Sequence, residues 1–293
     1  MENYAWKSTL KSLVMTSAYQ AMQVPFIGHV MCPSILKLPN PINMTASRLA
    51  ALDSGWFVTY KADGTRCLWV RAVFMGLCFD ITVNRCCEMK IIRCEAPAQN
   101  AGSGICYMLD CELVDGVFVC HDVLIYERVS VMYRAFSKRI KVLYMLRDHK
   151  DMPQPKSFFP CSQIQMVPTL GDGYIFVHET NMFQTGKTDT IIKWKSVSDI
   201  SIDLLVDTSG NAMMSSQHGN IMFQGQIAEF DLSMQDCKGH IAQFNYRDSA
   251  WFPTRIRDDK NTANDAYVVQ ETVSSVEQPI LHEGLIARCQ SIR

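Results

Sequence analysis

Apolar residues recur at helical spacing at two places early in the chain: Trp6, Leu10, Leu13 and Val14, and then Leu49 and Leu52 behind Thr45 or Ser47 as N-cap. Both stretches predict packing helices. Between them the proline-bearing stretch from Val24 to Ile42 reads as irregular surface connection. From Trp56 the pattern shortens to β-rich runs broken by Asp-Gly: Trp56 to Lys61, Asp63-Gly64, Thr65 to Phe74, then Ile105 to Val114, Asp115-Gly116, Val117 to Tyr126. Asp-Gly tolerates positive φ at both central positions of a tight turn, so both dipeptides predict hairpins in an antiparallel core. Val129 to Leu146 reads as an amphipathic helix with Met132, Phe136, Ile140 and Leu143 on one face and Arg134, Lys138 and Lys141 on another. That basic face suits either a polyanion or plain solvation.

After Lys195 short strand-like runs resume, at Ile200 to Val206, Ile221 to Phe223, Ile227 to Phe230 and Ile241 to Tyr246. Their number and length predict a second, small β domain of the size of an oligonucleotide-binding-type (OB-fold) barrel. Val268 to Ile292 is helical again and is expected to pack back on the first domain. The expected class is α+β, with residues 1–198 as an antiparallel β-rich domain flanked by helices, 199–267 as the small barrel, and a C-terminal helix over about 268–293.

The formal net charge of −1 over 293 residues excludes a protein that coats nucleic acid through a global positive field. Any polyanion must be gripped locally. Twelve cysteines show no Cys-x-x-Cys spacing, and the start of the chain has no signal-peptide pattern, so reduced thiols in an intracellular protein are expected. Arg71 interrupts the longest apolar run, and no membrane span is expected.

Five segments carry candidate chemistry. Lys61-Ala62-Asp63-Gly64-Thr65-Arg66 puts a lysine at a strand end and an arginine on the next strand; an exposed turn would look alike. A lysine attacks as a neutral amine, and a free one has a pKa of ~10.4, so leaving it unperturbed costs roughly 4–5 kcal/mol near neutral pH. Burial and the cations Arg66, Lys193 and Lys195 are the available means of lowering it. Lys193 and Lys195, within Thr190 to Lys195, share a strand face and together invite an anion, or else face water. Leu109-Asp110-Cys111-Glu112-Leu113 and Gly171-Asp172-Gly173 set carboxylates in apolar runs, where a Mg²⁺ ion or salt bridges would partner them. Arg255 and Arg257, followed by Asp259 and Lys260, suit phosphate, or an exposed strand end.

In this order the segments resemble the covalent nucleotidyltransferase superfamily, and most closely the mRNA capping guanylyltransferases, over roughly residues 55–265. The resemblance implies that Lys61 becomes guanylylated and that Arg66 contacts the nucleotide. It puts Arg85 in the place of a ribose-contacting arginine and Glu112 in that of the third motif's glutamate. Asp172 matches the fourth motif, Lys193 and Lys195 the fifth, and Arg255, Arg257, Asp259 and Lys260 the last. It further implies GTP as substrate, Mg²⁺ or Mn²⁺ held with Glu112 and Asp172, and a 5′-diphosphate RNA end as acceptor. Two positions depart from the family: Cys111 replaces a glycine, and His121 stands where a phenylalanine usually stacks on guanine. The chain has no His-Cys-x5-Arg loop and no Glu-x-Glu pairs, so RNA triphosphatase and cap methyltransferase are expected on separate chains, with an RNA polymerase as a candidate partner. A nucleus or a viral replication compartment is the expected location. An ATP-dependent polynucleotide ligase and a non-catalytic cap- or nucleotide-binding module are the competing readings.

Overall fold

The computed structural model describes residues 9–15, 38–96, 102–149, 151–229, 232–258 and 260–292. Helix α1 is described over 9–15. In chain order there follow β1 (Pro39–Asn43), α2 (Ala46–Ala50), β2 (Trp56–Tyr60), β3 (Thr65–Phe74), β4 (Leu77–Asn84), β5 (Met89–Glu95), β6 (Gly104–Val114), β7 (Val117–Tyr126), β8 (Val129–Ser130) and α3 (Phe136–Met145). Then come β9 (Gln154–Pro155), β10 (Phe159–Pro160), β11 (Gly173–His178) and β12 (Gly186–Lys195). The last stretch holds β13 (Ser201–Val206), β14 (Ala212–Ser216), β15 (Gly219–Met222), β16 (Ile241–Arg247), β17 (Ala250–Ile256), α4 (Ala266–Glu277) and α5 (His282–Gln290).

The strands form three mostly antiparallel sheets, so the class is α+β as the sequence predicts. The first has the order β1-β12-β11-β2-β10. The second runs β5-β4-β3-β6-β7-β8, with β9 added parallel to β7. The third runs β15-β14-β13-β16-β17, and Ile227 bridges in parallel to Trp251. Asp115 and Gly116, at φ 48° and 82°, close the β6–β7 hairpin as expected. Asp63-Gly64 does not close one: it carries the chain from β2 in the first sheet to β3 in the second. The contact made by Gly64 is with β6, where an added Cβ would lie 2.4 Å from the carbonyl oxygen of Leu113. A turn that the apolar pattern hid, Met75-Gly76 (φ 49° and 71°), forms the β3–β4 hairpin instead.

The helix expected over Val129 to Leu146 is shorter. Glu127 and Arg128, both at positive φ, turn the chain so that Val129–Ser130 pairs back on β7, and α3 starts only at Phe136. Of the small-domain runs, Ile227 to Phe230 supplies an isolated bridge rather than a strand; Phe230 lies outside the described residues. The C-terminal stretch is two helices separated around Pro279, where a helix interior would lose a hydrogen bond. Val269 and Val276 of α4 pack on Ile202, Leu204, Phe244 and Trp251 of the third sheet. Leu285 and Cys289 of α5 pack on Val58, Phe176, Ile192 and Trp194 of the first. The second sheet buries Leu68, Val70, Ile81 and Met108 beneath Leu10 and Val14 of α1, and Trp69, Leu109 and Val123 beneath Leu143 of α3. No described helix is long and apolar enough to cross a membrane.

Candidate active site

Lys61 follows directly on β2 and is fixed by two backbone bonds: its N–H donates to the Gly173 carbonyl at 2.8 Å, and its carbonyl accepts from the Asp172 N–H at 3.2 Å. These bonds require glycine on both sides of Asp172. A Cβ at residue 171 would lie 1.8 Å from the Lys61 carbonyl oxygen, and one at residue 173, whose φ is 147°, would lie 2.0 Å from that of Trp194. The Gly-Asp-Gly segment is thus pressed between the Lys61 and Trp194-Lys195 backbones, which aims the Asp172 carboxylate at both lysines. Lys61 Nζ reaches Asp172 Oδ1 at 2.8 Å, and Lys195 Nζ pairs with Oδ2. Burial pushes the Asp172 carboxyl up, but Lys195 and Lys61 outweigh it and hold it below the usual carboxylate range.

Lys193 lies in the same charge cluster as Lys195. Loss of water around it, reinforced by Lys195 and Lys61, brings its pKa down to about 8. Lys156, which sequence reasoning missed, is brought down to about 8 chiefly by burial and then by Lys61 and Arg66. It is 4% exposed, lies 4.3 Å over the Tyr60 ring and donates to the Tyr60 carbonyl at 2.8 Å. A buried lysine with a single oxygen partner has donors to spare.

A second cluster forms on the second sheet. Arg66 is opposite Glu112 in the β3–β6 register and forks onto Asp110, Nε to Oδ1 at 2.9 Å and Nη2 to Oδ2 at 2.5 Å. His121 Nε2 lies 3.2 Å from the same carboxylate. The β6–β7 register jumps from Asp110–Asp122 to Cys111–Cys120, so His121 is an extra residue on a bulge, the device by which a strand re-aims a side chain. Asp110 is 1% exposed; burial raises its carboxyl, yet Arg66 and then His121 hold it far below the usual range. His121 Nδ1 is buried and makes no hydrogen bond. Glu112 accepts from the Gly64 N–H at 3.2 Å, and Arg85 Nη2 reaches Asn40 Oδ1 at 3.3 Å within electrostatic range of Arg66, Asp110 and Glu112.

The third group is separate from both. Arg255, on β17 of the third sheet, bonds Gln243 at 3.0 Å, whereas Arg257 bonds Asp203 at 2.9 Å together with Lys260. The two arginines expected to share a strand face thus take different partners, because β17 ends at Ile256 and Arg257 has already left it. Asp259 lies outside the described residues. Among the described residues no three His, Cys, Asp or Glu side chains form a metal cage. Asp172 and Glu112 offer single carboxylates, a donor set that fits an ion drawing its other ligands from water and phosphate.

The lysines yield a pH test. Lys156 and Lys193 titrate near 8 in the folded protein and near 10.5 unfolded, so between these values the unfolded chain holds more protons and the unliganded protein gains stability as pH rises. Phosphate needs the ammonium forms, and its affinity runs the opposite way. The thermal shift produced by inorganic triphosphate should therefore shrink from about pH 7 to about pH 9.5, with Lys193→Met flattening the profile. A shift constant across that range would show that these lysines do not meet the anion.

Residues 174–286 match the mRNA capping enzyme, C-terminal domain family, a stretch from β11 through the third sheet into α5 that begins after Lys61 and Asp172. In fold the chain is similar to a mycobacterial DNA ligase D complexed with ATP and MES, at 15% identity over 77% of this chain and 96% of that chain, with a TM-score of 0.47. It is also similar to the ATP-dependent DNA ligase from bacteriophage T7 in complex with ATP, at 11% identity over 75% of this chain and 98% of that one, with a TM-score of 0.40. No curated protein matches the sequence.

Proposed function

We propose that this chain is a covalent nucleotidyltransferase, and specifically an mRNA guanylyltransferase that carries GMP on Lys61. The observation that carries the proposal is the Lys61–Asp172–Lys195 bridge, set beside two further lysines whose pKa values have fallen to about 8. Such a site holds one nucleophile and an excess of phosphate-binding charge. In the first step the neutral Lys61 amine attacks the α-phosphorus of GTP. A P–N bond forms, the bond from the α-phosphorus to the bridging oxygen breaks, pyrophosphate leaves, and the amine sheds its proton to water. In the second, the terminal oxygen of a 5′-diphosphate RNA attacks the same phosphorus, the P–N bond breaks, and the departing nitrogen takes a proton from water to restore the lysine, leaving a GpppN end.

Lys193 and Lys195 would stabilise charge on the transferring phosphate, and Arg66, Arg85 and Glu112 would hold the ribose. Asp172 and Glu112 would each give a carboxylate oxygen to Mg²⁺ or Mn²⁺, which when bound screens the triphosphate. Residues 199–267 would act as an OB-fold domain that closes over GTP, Asp203 handing Arg257 and Lys260 to the leaving pyrophosphate. Lys156 supports guanine over adenine. Its ammonium can only donate, and guanine presents the O6 acceptor where adenine presents an N6 donor. His121 takes the place beside the purine.

The test is incubation with α-labelled GTP or ATP and Mg²⁺ or Mn²⁺, followed by denaturation. Label from GTP alone, moved to 5′-diphosphate RNA on chase, is the expected result. Label from ATP would instead make the protein a polynucleotide ligase, and no label from either would leave a nucleotide-binding module.

A further inference from the structure

We propose that Arg134, Lys138 and Lys141 form a track for the phosphate backbone of the acceptor RNA downstream of its 5′ end, an inference that rests on the guanylyltransferase reading. These side chains are exposed; Lys138 and Lys141, three apart, share one side of α3, and Arg134 lies in the turn before it. Arg139, by contrast, points inward to Asp122. A solvated helix face usually mixes charge signs, but α3 contains no acidic residue at all. Among the described residues no carboxylate comes within ion-pair distance of the three cations. The chain as a whole is at −1, so this bare positive stripe is a local feature rather than part of a general excess.

Two large side chains flank the stripe in sequence, Tyr133 at 53% exposure and Met145 at 59%, and an exposed aromatic among cations suits an unpaired base. The helix is linked through residues 156–158 to β2, the strand that precedes Lys61. The Tyr144 hydroxyl accepts from the Phe158 N–H at 2.8 Å, Ser157 accepts from Thr59 at 2.8 Å, and Lys156 donates to the carbonyl of Tyr60, the residue before Lys61. On this proposal, RNA whose end sits at Lys61 continues past this segment to the exposed side of α3. Contacts to phosphate alone are what an enzyme acting on every transcript needs.

The experiment is the double variant Lys138→Glu/Lys141→Glu, whose sites are exposed and outside the nucleotide pocket. Three quantities are read: formation of the GMP–protein bond, KM for a long 5′-diphosphate RNA, and KM for a 5′-diphosphate dinucleotide. The expected result is unchanged GMP labelling, an unchanged dinucleotide KM, and a long-RNA KM raised about tenfold, with the salt slope of RNA binding reduced by about 0.7 per lost contact. An unchanged long-RNA KM would overturn the proposal, as would an equal loss with the dinucleotide, since either outcome denies the track its RNA. A wild-type protein that takes no label from GTP overturns the guanylyltransferase reading itself, and this inference with it.

Discussion

Lys61→Ala should carry no nucleotide after denaturation, and Lys61→Arg should behave the same, because a guanidinium keeps its proton at any working pH and offers no amine lone pair. The informative comparison is with Lys195→Met. That variant retains the nucleophile and the 2.8 Å contact to Asp172 but loses the cation on the carboxylate's other oxygen. If Lys195 stabilises charge only as the phosphate transfers, the single-turnover labelling rate falls by about 10²–10³-fold. GTP affinity then changes little. Should Lys195→Met weaken GTP binding and leave the single-turnover rate intact, Lys195 holds the ground state rather than the transition state. Label persisting in Lys61→Ala would assign the covalent bond to another residue, and Lys156, buried beside Tyr60, would be the one to change next.

The parts of this site that were legible in the sequence are those set by neighbours along the chain. Alternation alone gives Lys193 and Lys195 one face, and Gly-Asp-Gly ahead of an apolar run marks Asp172 as a carboxylate in need of partners. Which partners it has is a matter of tertiary contact. The same dipeptide shows the limit. Asp115-Gly116 makes a hairpin because its two strands follow one another, while Asp63-Gly64 is committed to a crossover by the Leu113 carbonyl, about fifty residues away. Asp110 was visible as a charged group in an apolar run, yet nothing local says that it takes Arg66, and nothing local singles out Asp203 as the partner of Arg257 or sets Lys156 beside Tyr60. The bulge at His121 is the least legible feature, since it arises from a mismatch between two strand registers and leaves no mark in composition.

That bulge also lies between the Asp110–Arg66 pair and the buried Asp122–Arg139 pair, and it is the reason to expect Arg139→Met to be the most destabilising single change outside the glycines. Asp122 follows His121 directly, and Arg139, 0% exposed, forks onto it with two bonds of 2.8 Å. The remaining guanidinium donors go to the carbonyls of Arg134 at 2.5 Å and Asn181 at 2.8 Å and to the Asn181 side chain at 3.1 Å. Methionine fills the space but strands a buried carboxylate, at a cost of about 3–5 kcal/mol measurable by urea unfolding. Pairing it with Asp122→Leu removes the stranded charge, and the double variant should regain most of that loss. It should not regain nucleotide binding to the same degree, because Asp122 also fixes the strand that presents His121 to Asp110 and Arg66. A loss under about 1 kcal/mol for Arg139→Met would mean that water reaches Asp122 and that the bulge is held by the strand ladder alone.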